Sequence, residues 1–193
     1  MLRPDFSLIA NIVGKEARVL DLGCGDGELM AYLATTMNSR VQGIELDEAA
    51  IYKCVEKGLN VFHSDIDSGL KGYPDKAFDY VILNQSIQQV KRVSYVIEES
   101  LRTGTRVIVS FPNFAHIRSR LKLVFGGKVP ITRHLPYSWH DTPNLRFLSI
   151  KDFRDYCREK NITILNAHFL GASGEIRVMP NVFAENALFV LTR

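Results

Sequence analysis

One segment limits the fold more than any other: Arg18-Val19-Leu20-Asp21-Leu22 runs directly into Gly23-Cys24-Gly25-Asp26-Gly27, and Leu29, Leu33 and Met37 follow at four-residue spacing. The first five residues read as a buried strand, and the last three share one face of a helix. Between them, glycines at alternate positions let the chain turn sharply out of a sheet and let a ligand approach the backbone. A strand, a tight turn and a helix in that order open a parallel sheet with covering helices.

The next hundred residues repeat the alternation. Val41 to Glu45 is a second strand, and Asp47 is placed to cap a helix that carries Ile51, Cys54 and Val55 toward the core, with Gly58 closing it. Leu59 to His63 is a third strand. Phe78 to Leu83, rich in β-branched and aromatic residues, is a fourth that stops at Asn84 and Gln85. A helix from about Ser94 to Arg102, ending near Gly104, leads into a fifth strand, Arg106 to Phe111, and Pro112. Residues 112–148 are less regular, with Asn113 to Phe125 expected to form a helix. Ser149 and Asp152 have the spacing of a capping box ahead of Phe153, Tyr156 and Cys157. Ile162 to Phe169 and Ala187 to Leu191 read as closing strands. No repeat, low-complexity tract or second domain is visible, so residues 1–193 are expected to form one α/β domain with a basic cap or loop at about 112–148.

The acids around the glycines restrict the ligand. The dinucleotide pattern G-x-G-x-x-G would need glycine at position 28, where this chain has Glu28, and no Gly-Lys-Ser or Gly-Lys-Thr of a P-loop occurs. An anionic side chain suits a pyrophosphate badly. It suits a nucleoside that carries positive charge and lacks phosphates, namely S-adenosylmethionine, or its demethylated product S-adenosylhomocysteine. Asp21 and Asp26 would meet the cationic end, while the helix amino end receives a carboxylate. Glu45, ending the second strand, can accept the ribose hydroxyls, and Asp65 the adenine amino group. Asp65 equally reads as a turn cap. Gly23, Gly25, Leu46 and Asn84 complete the candidate cofactor set.

Composition removes other classes. With 46% hydrophobic residues and a net charge of +3, the chain is neither disordered nor fibrous. No apolar run reaches the ~18–20 residues of a membrane span, and Met1-Leu2-Arg3-Pro4-Asp5 lacks a signal-peptide pattern, so a cytoplasmic location is expected. Three cysteines without C-x-x-C spacing argue for reduced thiols, and the five histidines show no metal-ligand spacing. The charge is uneven: residues 112–154 hold eight basic and two acidic side chains. That stretch suits an anionic small molecule or an acidic partner surface. A nucleic acid is the weaker reading, because such charge runs usually form a solvated face. His116 and His140 fall within it and are candidates for contact with a second substrate. Gly171-Ala172-Ser173-Gly174 misses the spacing of a nucleophile elbow, so acyl transfer by this chain alone is not expected.

At the Val19 to Leu29 block the chain resembles the class I S-adenosylmethionine-dependent methyltransferases. More narrowly it resembles the MetW family, through Arg3-Pro4-Asp5, Phe78 to Leu83, Ser110-Phe111-Pro112-Asn113-Phe114, Leu135-Pro136-Tyr137 with Trp139, Asp141-Thr142-Pro143-Asn144, and Asn181 to Glu185. The resemblance implies a Rossmann-like, mostly parallel sheet of seven strands with helices on both faces, the last strand inserted antiparallel between the fifth and sixth. It also implies a role in methionine biosynthesis beside the homoserine O-acyltransferase MetX. It supplies no methyl acceptor. Three roles stay open: a cofactor-binding auxiliary of homoserine acylation, a small-molecule methyltransferase, and a nucleic-acid methyltransferase. The last is disfavoured on adenine N6, since Leu83-Asn84-Gln85-Ser86 lacks the Pro-Pro-Tyr grip.

Overall fold

A computed structural model of the chain describes residues 4–133, 135–172 and 174–193. Arg3 of the Arg3-Pro4-Asp5 block, His134 among the histidines, and Ser173 of the poor elbow match lie outside the described residues. The chain divides into two compact units, residues 1–84 with 92–108 and residues 85–91 with 109–193.

The first unit holds α1 (Pro4–Val13), β1 (Arg18–Leu22), α2 (Glu28–Met37), β2 (Arg40–Glu45), α3 (Glu48–Glu56), β3 (Asn60–His63), β4 (Phe78–Asn84), α4 (Val93–Thr103) and the first half of β5 (Gly104–Pro112). Its strands lie in the order β3-β2-β1-β4-β5. β1 runs parallel to both β2 and β4, with Val19 opposite Val41 on one side and Tyr80 on the other. β2 and β3 are parallel too. Val19, Leu20, Leu22, Val81, Ile82 and Leu83 are fully buried, as continuous apolar strands covered on both faces must be.

Helix ends follow local chemistry. The Asp47 side chain accepts a hydrogen bond from the Ala49 N–H and caps α3. Lys57 is the C-cap, and Gly58 follows it at φ +70°, the left-handed conformation that glycine adopts without strain. Val55 departs from expectation. It is 60% exposed while Cys54 is fully buried, because one helical step of about 100° carries position 55 off the core-facing stripe. The sequence reading also passed over α1, whose Phe6, Ile9, Ala10 and Val13 are all buried.

The second unit contains the other half of β5, α5 (Ile117–Gly126), α6 (Ile150–Glu159), β6 (Thr163–Gly171), β7 (Gly174–Glu175), α7 (Pro180–Phe183) and β8 (Asn186–Thr192). Its strand order is β5-β8-β6-β7, so β8 is inserted beside β5 and runs antiparallel to β6. The described strands number eight where seven were expected. The extra one, β7, has two residues and forms a hairpin rung with β6, pairing Leu170 with Glu175. The irregular stretch contributes α5, which starts at Ile117 rather than Asn113. Asn113, buried ahead of it, donates through its side chain to the Asn181 and Ala184 carbonyls at 3.2 and 2.9 Å. The capping box of α6 is formed, with Ser149 and Asp152 bonded reciprocally. Phe111, Phe153 and Phe189 pack as one aromatic cluster, with centroids 4.9 to 5.9 Å apart.

Candidate functional site

The glycine turn lies within a cavity of about 200 Å³, lined by Phe6, Asp21, Gly23, Cys24, Gly25, Asp26, Glu28, Leu29 and Asn84. Five of the residues singled out from the sequence therefore meet in one place: Asp21, Gly23, Gly25, Asp26 and Asn84. Gly23, Gly25 and Gly27 have φ of +73°, +57° and +77°. A side chain at any of them would be strained. An added Cβ at Gly25 would meet open space, whereas at Gly27 it would strike Leu59 Cδ1 at 2.5 Å. Gly25 thus leaves room for a ligand, and Gly27 serves helix packing.

The loop is tied to β2 by its own amides. Gly23 and Cys24 donate to the Ile44 carbonyl at 2.8 and 3.2 Å. Gly25 N–H donates to Glu45 Oε2 at 2.8 Å, while Glu45 Oε1 accepts from the Leu46 and Asp47 amides at 2.7 and 3.0 Å. The Glu45 carboxylate is the clamp between the glycine turn and the start of α3. A carboxylate with three backbone donors still has lone-pair capacity for hydroxyls. Leu46 beside it is 58% exposed, an apolar side chain available to a flat ring.

Asp21 is the unusual group. It is 2% exposed, and its Oδ1 is fully buried without a hydrogen-bond partner among the described residues. Burial, with a further push from the Glu45 charge, raises its carboxyl from 3.8 to about 7. An orphaned buried acceptor of this kind is costly in the free protein and is satisfied by a donor, best a cationic one. Asp26 is more exposed; Lys57 Nζ donates to its backbone carbonyl at 2.6 Å and sits 3.8 Å from its carboxylate. Among the described residues no basic side chain lines the cavity.

Asp65 does not line this cavity. Its carboxylate caps the turn Ile66–Ser68, accepting from Asp67 N–H at 2.8 Å, which is the turn-cap reading of that residue. The two histidines sit in the second unit. His116 Nδ1 accepts from Arg118 N–H at 3.2 Å and caps α5, and the exposed His140 lies edge-on to Trp139 at 5.5 Å. His168 pairs with Glu175 at 2.9 Å. Phe6, Cys24, Glu28 and Leu29 were not foreseen as cavity residues. Phe6 comes from α1, whose apolar spacing was the available signal. Among the described residues no cluster of three His, Cys, Asp or Glu could hold a metal ion, and no helix is long and apolar enough to cross a membrane.

The fold is the one found in solved S-adenosylmethionine-dependent methyltransferases. A solved S-adenosylmethionine-dependent methyltransferase from Mesorhizobium loti superposes with a TM-score of 0.71 at 16% identity, over 98% of this chain and 96% of that one. The chain belongs to the MetW family: the model of "Methionine biosynthesis protein MetW" matches residues 3–191. The "Bifunctional methionine biosynthesis protein MetXA/MetW" of Rhodopirellula baltica is 34% identical over the whole of this chain, which spans only 33% of that relative's length. The "Ubiquinone biosynthesis O-methyltransferase" of Paraburkholderia phymatum is 29% identical over 77% of this chain and 65% of its own.

Proposed function

We propose that this protein binds S-adenosylmethionine and acts in methionine biosynthesis by supporting homoserine O-acyl transfer together with the acyltransferase MetX. The observation that carries the pairing is the bifunctional relative, in which MetXA and MetW are named in a single polypeptide. Two activities on one chain are held at high effective concentration, as partners in one step would be.

The residues fit the cofactor. Asp21 Oδ1 is a buried acceptor in want of a donor, and the cavity wall is acidic, which matches the ammonium and sulfonium of S-adenosylmethionine. The first turn of α2, through Glu28 and Leu29, borders the same cavity and offers helix amides to a carboxylate. Glu45 would take the ribose hydroxyls, Leu46 would pack on the adenine and Asp65 would approach its polar edge, while Asn84, which lines the same cavity as Asp21, would meet the amino-acid end. The cavity of about 200 Å³ is below the ~300–1,000 Å³ of whole-ligand pockets, so it accounts for the amino-acid end of the molecule. When bound, S-adenosylmethionine supplies an electrophilic methyl group. This chain's residues hold the molecule, neutralise its charge and exclude water; transfer to an acceptor would need only in-line placement.

A second reading, a small-molecule methyltransferase with His116 or His140 at the acceptor, draws on the similarity to the ubiquinone-pathway O-methyltransferase. The deciding experiment reconstitutes purified protein with purified MetX, homoserine and acyl-CoA. Acylation that rises several-fold on adding this chain supports the proposal. Unchanged acylation, combined with labelled methyl transfer to a small molecule in cell extract, would replace it with the second reading.

A further inference from the structure

The second unit carries an apolar groove that its own fold does not use. The carboxyl-terminal half of α5 and the segment that returns from it stand out in solvent: every residue from Leu121 to Val129 is exposed, with Val124 at 75% and Phe125 at 82%. Gly127, at φ +58°, turns the chain and closes the helix by donating to the Leu123 carbonyl. Leu121 and Phe125, one helical turn apart, then face Val129 and Ile131 across a groove of about 620 Å³. Lys122 Nζ bonds the Ile131 carbonyl and joins the two walls. Side chains this apolar and this exposed, grouped in one place, mark an interaction surface.

Charge identifies the occupant: Lys122 and Lys128 line the groove. From position 117 to 133 the charged residues are Arg118, Arg120, Lys122, Lys128 and Arg133, with no acid among them. None is paired with a carboxylate among the described residues. A second copy docking by the same face would bring these cations together, since a two-fold interface apposes a patch to itself. A helix that lies on a membrane presents one continuous apolar stripe, whereas these side chains come from two segments, α5 and the returning chain at 129–131, with an open recess between them.

We infer that the groove between Leu121, Phe125, Val129 and Ile131 is the docking site for an apolar segment flanked by acidic residues on the partner acyltransferase. This rests on the proposed pairing with MetX and adds where on this chain the partner sits. The cations steer the encounter and the groove holds the anchor.

The test titrates the purified full-length chain and its variants against purified MetX by calorimetry at low and high salt. Phe125→Ser and Val124→Ser alter side chains that pack little in the free protein; their urea unfolding midpoints serve as the check on folding. Phe125→Ser is expected to bind at least about 30-fold more weakly, the size of a ~2 kcal/mol anchor. Reversal of Arg118 and Lys128 to Glu is expected to weaken binding and flatten its salt dependence. Wild-type binding with Phe125→Ser unaffected overturns the inference and leaves the pairing standing. No complex with the wild type overturns the pairing and the inference together. A wild-type homodimer that Phe125→Ser dissociates, or anionic vesicle binding that it abolishes while MetX binding persists, reassigns the groove and refutes the proposal.

Discussion

Replacing Asp21 by Asn tests the cavity electrostatics at its centre. The substitution keeps the shape and removes the charge. In the unfolded chain this carboxyl ionises near 3.8, while in the native protein burial, aided by Glu45, holds the proton to about 7. Between those values the native state binds more protons than the unfolded one, so stability falls as pH rises and levels off above 7. At ~1.36 kcal/mol per pH unit the full window is worth about 4 kcal/mol, of which about 2 to 3 lies between pH 5 and pH 8. Asp21→Asn cannot ionise and loses that slope. Urea unfolding of both proteins at pH 5 and pH 8 reads the difference, and other titrating groups cancel in the comparison. The variant is expected to gain about 2 to 3 kcal/mol on the wild type between the two pH values.

Binding should move the other way. A cationic ligand prefers ionised Asp21, which is roughly a tenth of the molecules at pH 6 and nine-tenths at pH 8 for a midpoint of about 7. The wild-type affinity for S-adenosylmethionine, divided by that of Asp21→Asn so that the ligand's own titration cancels, is expected to rise about tenfold from pH 6 to pH 8. A flat ratio, or a variant that binds as well as the wild type at pH 8, refutes the assignment of Asp21 to the cationic end.

Other perturbations separate the parts. Glu45→Gln puts an amide where the carboxylate accepts three backbone N–H groups; a loss of about 1.5 to 3 kcal/mol is expected by urea unfolding. The midpoint of the Asp21 titration should also fall, since the Glu45 charge helps raise it. Gly27→Ala meets Leu59 Cδ1 at 2.5 Å and Cys54 Sγ at 2.9 Å at a φ of +77°, and should cost about 2 to 4 kcal/mol in the same assay. Gly25→Ala, with open space around its Cβ, should cost only about 1 to 2 kcal/mol of backbone strain while sharply reducing the S-adenosylmethionine thermal shift. Asn113→Ala removes the side-chain donor to the buried Ala184 carbonyl and one of two donors to the Asn181 carbonyl, which keeps Arg120 at 3.4 Å; about 1 to 3 kcal/mol of stability should be lost in chemical unfolding.

Much of this architecture is legible in the sequence because its strands are short apolar runs that end at glycine, proline or polar residues, as β1 does at Gly23 and β4 at Asn84. The helix caps at Asp47 and Ser149 could be read for a related reason: a side-chain oxygen placed two or three residues before the amide it accepts from is a local arrangement. What escaped depends on pairing at a distance. β7 has two residues and no period of its own; it is a strand only because Leu170 and Gly171 lie across from it. α1 carries the spacing of a buried face in Phe6, Ile9, Ala10 and Val13, which a reading of the amino terminus for targeting signals and for the Arg3-Pro4-Asp5 resemblance passes over. With α1 unread, Phe6 could not be seen at the cavity. The acids of the site divide in the same manner. Asp21 and Asp26 lie beside the glycine turn by chain proximity, while the Glu45 clamp on Gly25, twenty residues away, is visible as an acid of the right spacing without its backbone partners. Asp65 shows the limit: spacing alone does not distinguish an adenine contact from a turn cap.

Calorimetric titration of the purified chain is the most direct measurement. S-adenosylmethionine and S-adenosylhomocysteine should each bind with one site per chain, and NAD should neither bind nor compete. Absence of heat with both nucleosides, or displacement of S-adenosylmethionine by NAD, would contradict the account of the glycine turn as an acidic pocket for a phosphate-free cationic nucleoside.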